Sequence, residues 1–84
     1  MFEIIFKESS KKEFLLLEKD IQKRIKNSLN RLIIRPQHYL QRLVDYDAYK
    51  LRVGNYRLII DLDFKENKII ILKIGHRSNI YKKT

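Results

Sequence analysis

The strongest constraint in this 84-residue chain is a stretch where apolar and charged residues alternate on either side of a Gly-Asn pair. Tyr49, Leu51 and Val53 alternate with Lys50 and Arg52; after Gly54-Asn55, Tyr56, Leu58, Ile60 and Leu62 alternate with Arg57, Ile59, Asp61 and Asp63. A period of two puts successive side chains on opposite faces of a strand. A two-residue loop with glycine first is the mark of a type II′ hairpin turn, whose twist suits the flanking strands. The register follows: Val53 faces Tyr56, Arg52 faces Arg57, Leu51 faces Leu58 and Lys50 faces Ile59. One face is then apolar and the other carries Lys50, Arg52 and Arg57. Like charges directly opposite each other destabilise a sheet by up to about 1 kcal/mol. A phosphate between them reverses the sign of that interaction. Two long side chains splaying into water are the plain structural alternative.

Around this hairpin the remaining elements read simply. Phe2, Ile4 and Phe6 alternate as a strand. Ser9 or Ser10 offers an N-cap, and Ser10 with Glu13 matches a capping box, predicting a helix over about residues 9–18. Asp20 is a second cap candidate, and Ile21, Ile25, Leu29 and Leu32/Ile33 form the apolar stripe of a helix over 20–34. Pro36 disfavours a helical residue before it and stops that helix. The two helices are expected to form an antiparallel hairpin. Residues 36–47 read as a connecting loop. Lys65-Glu66-Asn67 is a polar turn, and residues 68–75 form a last strand, apolar on both faces and so central or covered. Ile80 and Tyr81 lie in the short tail after Gly75. The fold class is α+β: strand, helix, helix and a three-strand meander, one domain over 1–84, with a mainly antiparallel sheet packed on a helical hairpin. The other sheet face is left for a ligand.

One register stays open. A three-residue turn at 65–67 pairs Phe64 with Lys68 and brings Arg77 near Arg57 and Arg52. A two-residue turn flips the parity and sends His76 there instead.

Composition narrows the partner. The chain has 19 Lys+Arg against 10 Asp+Glu, a net charge of +9, and its 44% hydrophobic content is too high for a disordered basic tail. Residues 1–48 hold 10 basic and 7 acidic residues and residues 49–84 hold 9 and 3, so the excess is +3 against +6. A polyanionic partner meeting the second half is expected. With no cysteine, thiol catalysis, Cys-ligated zinc and iron–sulfur chemistry are excluded. His38 and His76 alone do not build a His-rich metal site. His76 alternates with Arg77, points to the opposite face, and is read as structural or solvated rather than catalytic. Asp61 and Asp63 are read as balancing lysines such as Lys65 and Lys73. Tyr49 and Tyr56 flank the turn, where they could stack a base, but their parity with Leu51 and Leu58 favours core packing. The N-terminal segment has no positive n-region and no apolar run approaches a membrane span, so a soluble, cytoplasmic protein without cofactor is expected.

The motifs also carry a resemblance. Tyr49-Lys50-Leu51-Arg52-Val53-Gly54-Asn55-Tyr56-Arg57-Leu58-Ile59-Ile60 resembles the central hairpin of RelE/ParE-superfamily toxins. Ile74-Gly75-His76-Arg77, with Tyr81 four residues on, resembles that family's closing segment. The element order matches as well. The resemblance to the RelE branch implies a toxin of a toxin–antitoxin system. Such a protein is a metal-free endoribonuclease that cleaves mRNA in the ribosomal A site, meets ribosomal RNA, and is held inactive by a small cognate antitoxin. It implies catalytic roles for Lys50, Arg57, Arg77 and Tyr81 and RNA binding by Arg52. Ala48 stands where some members carry a lysine.

The chemistry asks for a base for the 2′-OH, stabilisation of the phosphorane, and an acid for the 5′-oxygen. Arg57 and Arg77 suit the second task, because guanidinium donors meet developing charge without reorganising. Tyr81, whose ordinary pKa is about 10, needs cationic neighbours to act as base; Lys50 is the alternative proton carrier. Lys23, Lys26 and Arg31 on the second helix are candidate contacts for ribosomal RNA or an acidic antitoxin, against the simpler reading of a solvated helix face. Two other functions fit the same residues: a ParE-like inhibitor of DNA gyrase without nuclease activity, and a non-catalytic RNA-binding module.

Overall fold

The computed structural model describes residues 1–43 and 47–80. In chain order the elements are β1 (Glu3–Phe6), α1 (Glu8–Leu15), α2 (Lys19–Leu32), α3 (Pro36–Tyr39), β2 (Gln41–Arg42), β3 (Tyr49–Val53), β4 (Tyr56–Asp63) and β5 (Lys68–His76). The strands form one sheet in the order β1-β5-β4-β3-β2. The α+β class and the strand–helix–helix–meander order are as the sequence predicts. Two features are additional. Residues read as a loop contribute the single-turn helix α3 and the two-residue edge strand β2, so among the described residues the sheet has five strands. Pro36 starts α3 because proline's fixed φ and missing N–H suit a first helical position.

The apolar face of the sheet and the apolar stripe of α2 make the core. Ile25 and Leu32 from α2 and Leu58, Ile60, Ile69 and Ile71 from the sheet are completely buried. Phe2, Ile4 and Phe6 pack against this cluster, as their parity predicts. Burying a side chain of this size contributes about 1.5–3 kcal/mol. β5 lies between β1 and β4, pairing parallel with the first and antiparallel with the second, which explains its apolar residues on both faces.

The helix ends differ from expectation. α1 stops at Leu15 and α2 starts at Lys19, with Lys7 and Glu18 at the N-cap positions and no side-chain cap at either. Ser10 and Glu13 do not form a capping box. Ser10 is fully buried and its Oγ donates to the Ile71 carbonyl at 2.7 Å. Glu13 Oε1 accepts the Ile74 backbone N–H at 2.9 Å. Both side chains therefore fasten α1 to β5, where a bond across elements satisfies a group that neither helix nor ladder would. Gln22, also buried, donates from Nε2 to the Leu17 carbonyl at 2.9 Å and ties α2 to the α1–α2 connection.

Candidate functional site

The β3–β4 hairpin fixes the site's geometry. Its register pairs Val53 with Tyr56, Arg52 with Arg57, Leu51 with Leu58 and Lys50 with Ile59, as the alternation predicts. Gly54 has φ +59° and Asn55 has no positive φ, which matches a type II′ turn. Lys50, Arg52 and Arg57 therefore share the face of the sheet turned away from the helices. Ala48, two residues before Lys50, is buried.

Arg57 is held more tightly than a surface arginine. It is only 7% exposed, and its Nη1 donates to the carbonyls of Gly54 and Tyr56, both at 2.9 Å. The two hydrogens of Nη1 match these two acceptors. Among the described residues no buried side-chain nitrogen or oxygen lacks a partner. The guanidinium is thus pinned through Nη1 to its own turn.

The β4–β5 register differs from both turns considered. Residues 64–67 form a four-residue turn, and Asp63 pairs with Lys68. Asp63 Oδ1 accepts the N–H groups of Lys65 and Glu66 at 3.0 and 3.1 Å, capping this turn instead of balancing a lysine. The register then shifts between Ile59 and Ile60, with Leu72 as the extra residue on β5. Beyond that bulge Arg57 pairs with Gly75 and Tyr56 with His76, the parity a three-residue turn would have produced. Arg77 donates its backbone N–H to the Asn55 carbonyl at 2.8 Å, so the chain at Arg77 lies beside the β3–β4 turn. His76 takes the other face. Its ring meets Tyr56 edge-on at 5.6 Å, and the Ser78 N–H donates to Nδ1 at 3.2 Å, consistent with a structural role.

After Arg77 the chain turns back. Asn79 and Ile80 donate their N–H groups to the His76 carbonyl at 2.9 and 3.0 Å. Ile80 is buried, and a Cβ placed on Gly75 would lie 3.0 Å from Ile80 Cδ1. Glycine at 75 thus makes room for Ile80 to fold over the sheet next to Arg57. Tyr81, the next residue, lies outside the described residues.

The structure brings Lys50, Arg52, Arg57 and the Arg77 backbone to one end of the open sheet face. It does not bring the α2 lysines there. Lys23 and Lys26 are exposed on the helical side, and Lys26 Nζ sits 5.8 Å from the centre of the Phe14 ring. Arg31 is exposed further along α2, beside Tyr39. Two side chains hidden in the presumed loop join the site: a cleft of about 190 Å³ is lined by Tyr39, Gln41, Lys50 and Arg52. The β2–β3 pairing puts Gln41 directly beside Lys50. Pro36 was the sequence signal for this segment, since a proline that ends one helix can start the next. Arg24 is a further addition, with its guanidinium against Gly54 of the turn. Among the described residues no group of three His, Asp or Glu side chains is placed to hold a metal ion, and no helix is long and apolar enough to cross a membrane.

Sequence comparison with curated proteins gives no match. Solved structures share the fold. A chain of the RelBE2 toxin–antitoxin complex of Mycobacterium tuberculosis superposes with a TM-score of 0.82 at 20% identity, covering 90% of this chain and 98% of that one. A chain of the intact Escherichia coli RelBE complex gives 0.78 at 22% identity, covering 90% and 96%. The RelB–RelE complex of Methanococcus jannaschii gives 0.74 at 27%, covering 92% and 94%. The family model described as the ParE toxin of the type II toxin–antitoxin system parDE matches residues 4–81. With that match spanning nearly the whole sequence, the chain belongs to the ParE toxin family of type II toxin–antitoxin systems, within the RelE/ParE superfamily.

Proposed function

We propose that this toxin is a ribosome-dependent, metal-independent endoribonuclease that cleaves mRNA. The single observation that carries the reading is the direct pairing of Arg52 with Arg57 on the open sheet face, with the chain at Arg77 tied to the same turn. Two arginines set side by side are a poor choice for a sheet and a good one for a phosphate. In the reaction the 2′-oxygen attacks the adjacent phosphorus and the bond to the 5′-oxygen breaks, leaving a 2′,3′-cyclic phosphate and a 5′-hydroxyl. Arg57, with Nη1 already fixed, offers its remaining donors to the phosphorane oxygens at little reorganisation cost. Arg77 supplies the second cation, and Arg52 holds a neighbouring phosphate. Tyr81 or Lys50 accepts the 2′-OH proton, and the other returns one to the 5′-oxygen. The ribosome presents the strand, and a cognate small antitoxin, as in the RelB-containing complexes of similar fold, silences the toxin in the cytoplasm.

Ribosomes programmed with a short mRNA test this directly. Cleavage is expected with the wild-type protein and a loss of at least about a hundredfold with Arg77→Ala, in line with removal of one charge-stabilising donor. Intact mRNA with the wild-type protein, or equal cleavage by the variant, rejects the reading. A second reading is favoured by the family match itself: a ParE-like toxin that inhibits DNA gyrase. Inhibition of supercoiling without RNA cleavage would establish it instead.

A further inference from the structure

Tyr39 is a half-exposed aromatic at the edge of the candidate site. It ends α3, is 46% exposed, and its ring meets that of its neighbour His38 edge-on at 4.9 Å. Its place between charges is more informative. On one side it lines the cleft of about 190 Å³ with Gln41, Lys50 and Arg52. On the other it lines a second cleft of about 390 Å³ with Asn30, Arg31, Ile34 and Arg35 from the end of α2 and the segment after it. Tyr39 is thus shared by two basic clefts, each of which also offers a neutral amide.

We propose that Tyr39 is the stacking platform of a single-stranded RNA track that joins the two clefts, with Gln41 reading the edge of the stacked base. Single-stranded nucleic acid is held by cations that follow the phosphates and by aromatic rings that take the unstacked bases. Lys50 and Arg52 hold the phosphate on the reactive side of Tyr39, and Arg31 and Arg35 hold the one beyond it. Gln41 lies beside Lys50 in the β2–β3 ladder, where its amide can both donate to and accept from a base. The track rests on the nuclease reading, because it delivers the strand to Arg52 and Arg57, but it predicts binding in the absence of any cleavage.

The test is fluorescence anisotropy of a labelled single-stranded RNA hexamer with the full chain, without ribosomes, over a series of salt concentrations. Tyr39→Ala and Tyr39→Leu are expected to weaken binding roughly 5- to 100-fold, the range for loss of one stacked base, while Tyr39→Phe binds like wild type. The salt slope should be unchanged by these variants and reduced by about one by Arg31→Ala, which removes a phosphate contact. Because Leu keeps the bulk of the side chain, loss with Leu and rescue by Phe separates stacking from packing. Wild-type protein that does not bind the hexamer, or Tyr39→Leu that binds equally well, overturns the track. RNA binding that depends on Tyr39 but no mRNA cleavage on ribosomes upholds the track and rejects the nuclease.

Discussion

The two hairpins of the sheet share β4 and are built on different principles. The β3–β4 hairpin turns in two residues, and its register runs straight from the turn to Tyr49 and Ile60. The β4–β5 hairpin turns over residues 64–67 and slips by one at Leu72 before Arg57 reaches Gly75. In the first, local turn chemistry determines which side chains share a face. In the second, the same outcome depends on a bulge held from outside the hairpin: Glu13 of α1 accepts the N–H of Ile74, just past Leu72, and Ser10 binds the carbonyl of Ile71, just before it. The position of Arg77 at the candidate site is thus a property of how α1 sits on β5.

The largest effect should come from a residue that serves both hairpins. Leu58 is fully buried and pairs with Leu51 on one side and Ile74 on the other. Leu58→Ala should destabilise the protein by about 2–5 kcal/mol, read from the urea midpoint. A loss under 1 kcal/mol would mean that the core does not depend on the strand the hairpins share.

Removing the outside support should separate them. Glu13→Ala leaves the Ile74 N–H without its acceptor and should cost about 1–3 kcal/mol, while Glu13→Gln, which keeps an acceptor, costs less. Amide hydrogen exchange should speed up at Ile74 well before Leu51. Equal acceleration at both positions would contradict the view that α1 secures only the second hairpin.

The smallest effect belongs to the first turn. An alanine at Gly54 must adopt φ +59° and meets Arg24 Nη2 at 3.1 Å. Gly54→Ala should cost about 1–2 kcal/mol by the backbone penalty for a left-handed conformation, with the larger share falling on β3–β4 in hydrogen exchange. An unchanged urea midpoint would show that the turn accepts a side chain and that its glycine does not set the register.

How much of this was legible follows the same division. Lys50, Arg52 and Arg57 could be assigned to one face from sequence because strand parity and a two-residue loop are short-range rules. The core stripe of α2 was equally visible, because Ile25, Leu29 and Leu32 repeat at helical spacing. Ser10 and Glu13 misled, because the capping-box pattern gives no hint that both side chains are needed by a strand sixty residues away. Tyr39 and Gln41 were invisible as site residues, because a single-turn helix and a two-residue strand are too short to show a period.

By itself the sequence determined the α+β class, the type II′ hairpin and the pairing of Arg52 with Arg57, all of which depend on neighbours within a few residues. Only the tertiary structure decided that β1 adds in parallel to β5, that a bulge at Leu72 restores the parity of Arg77, and that Ile80 folds onto Gly75 beside Arg57. Each of these joins residues far apart in the chain, where the deciding terms are core burial and the satisfaction of backbone hydrogen bonds, and neither leaves a local pattern to read.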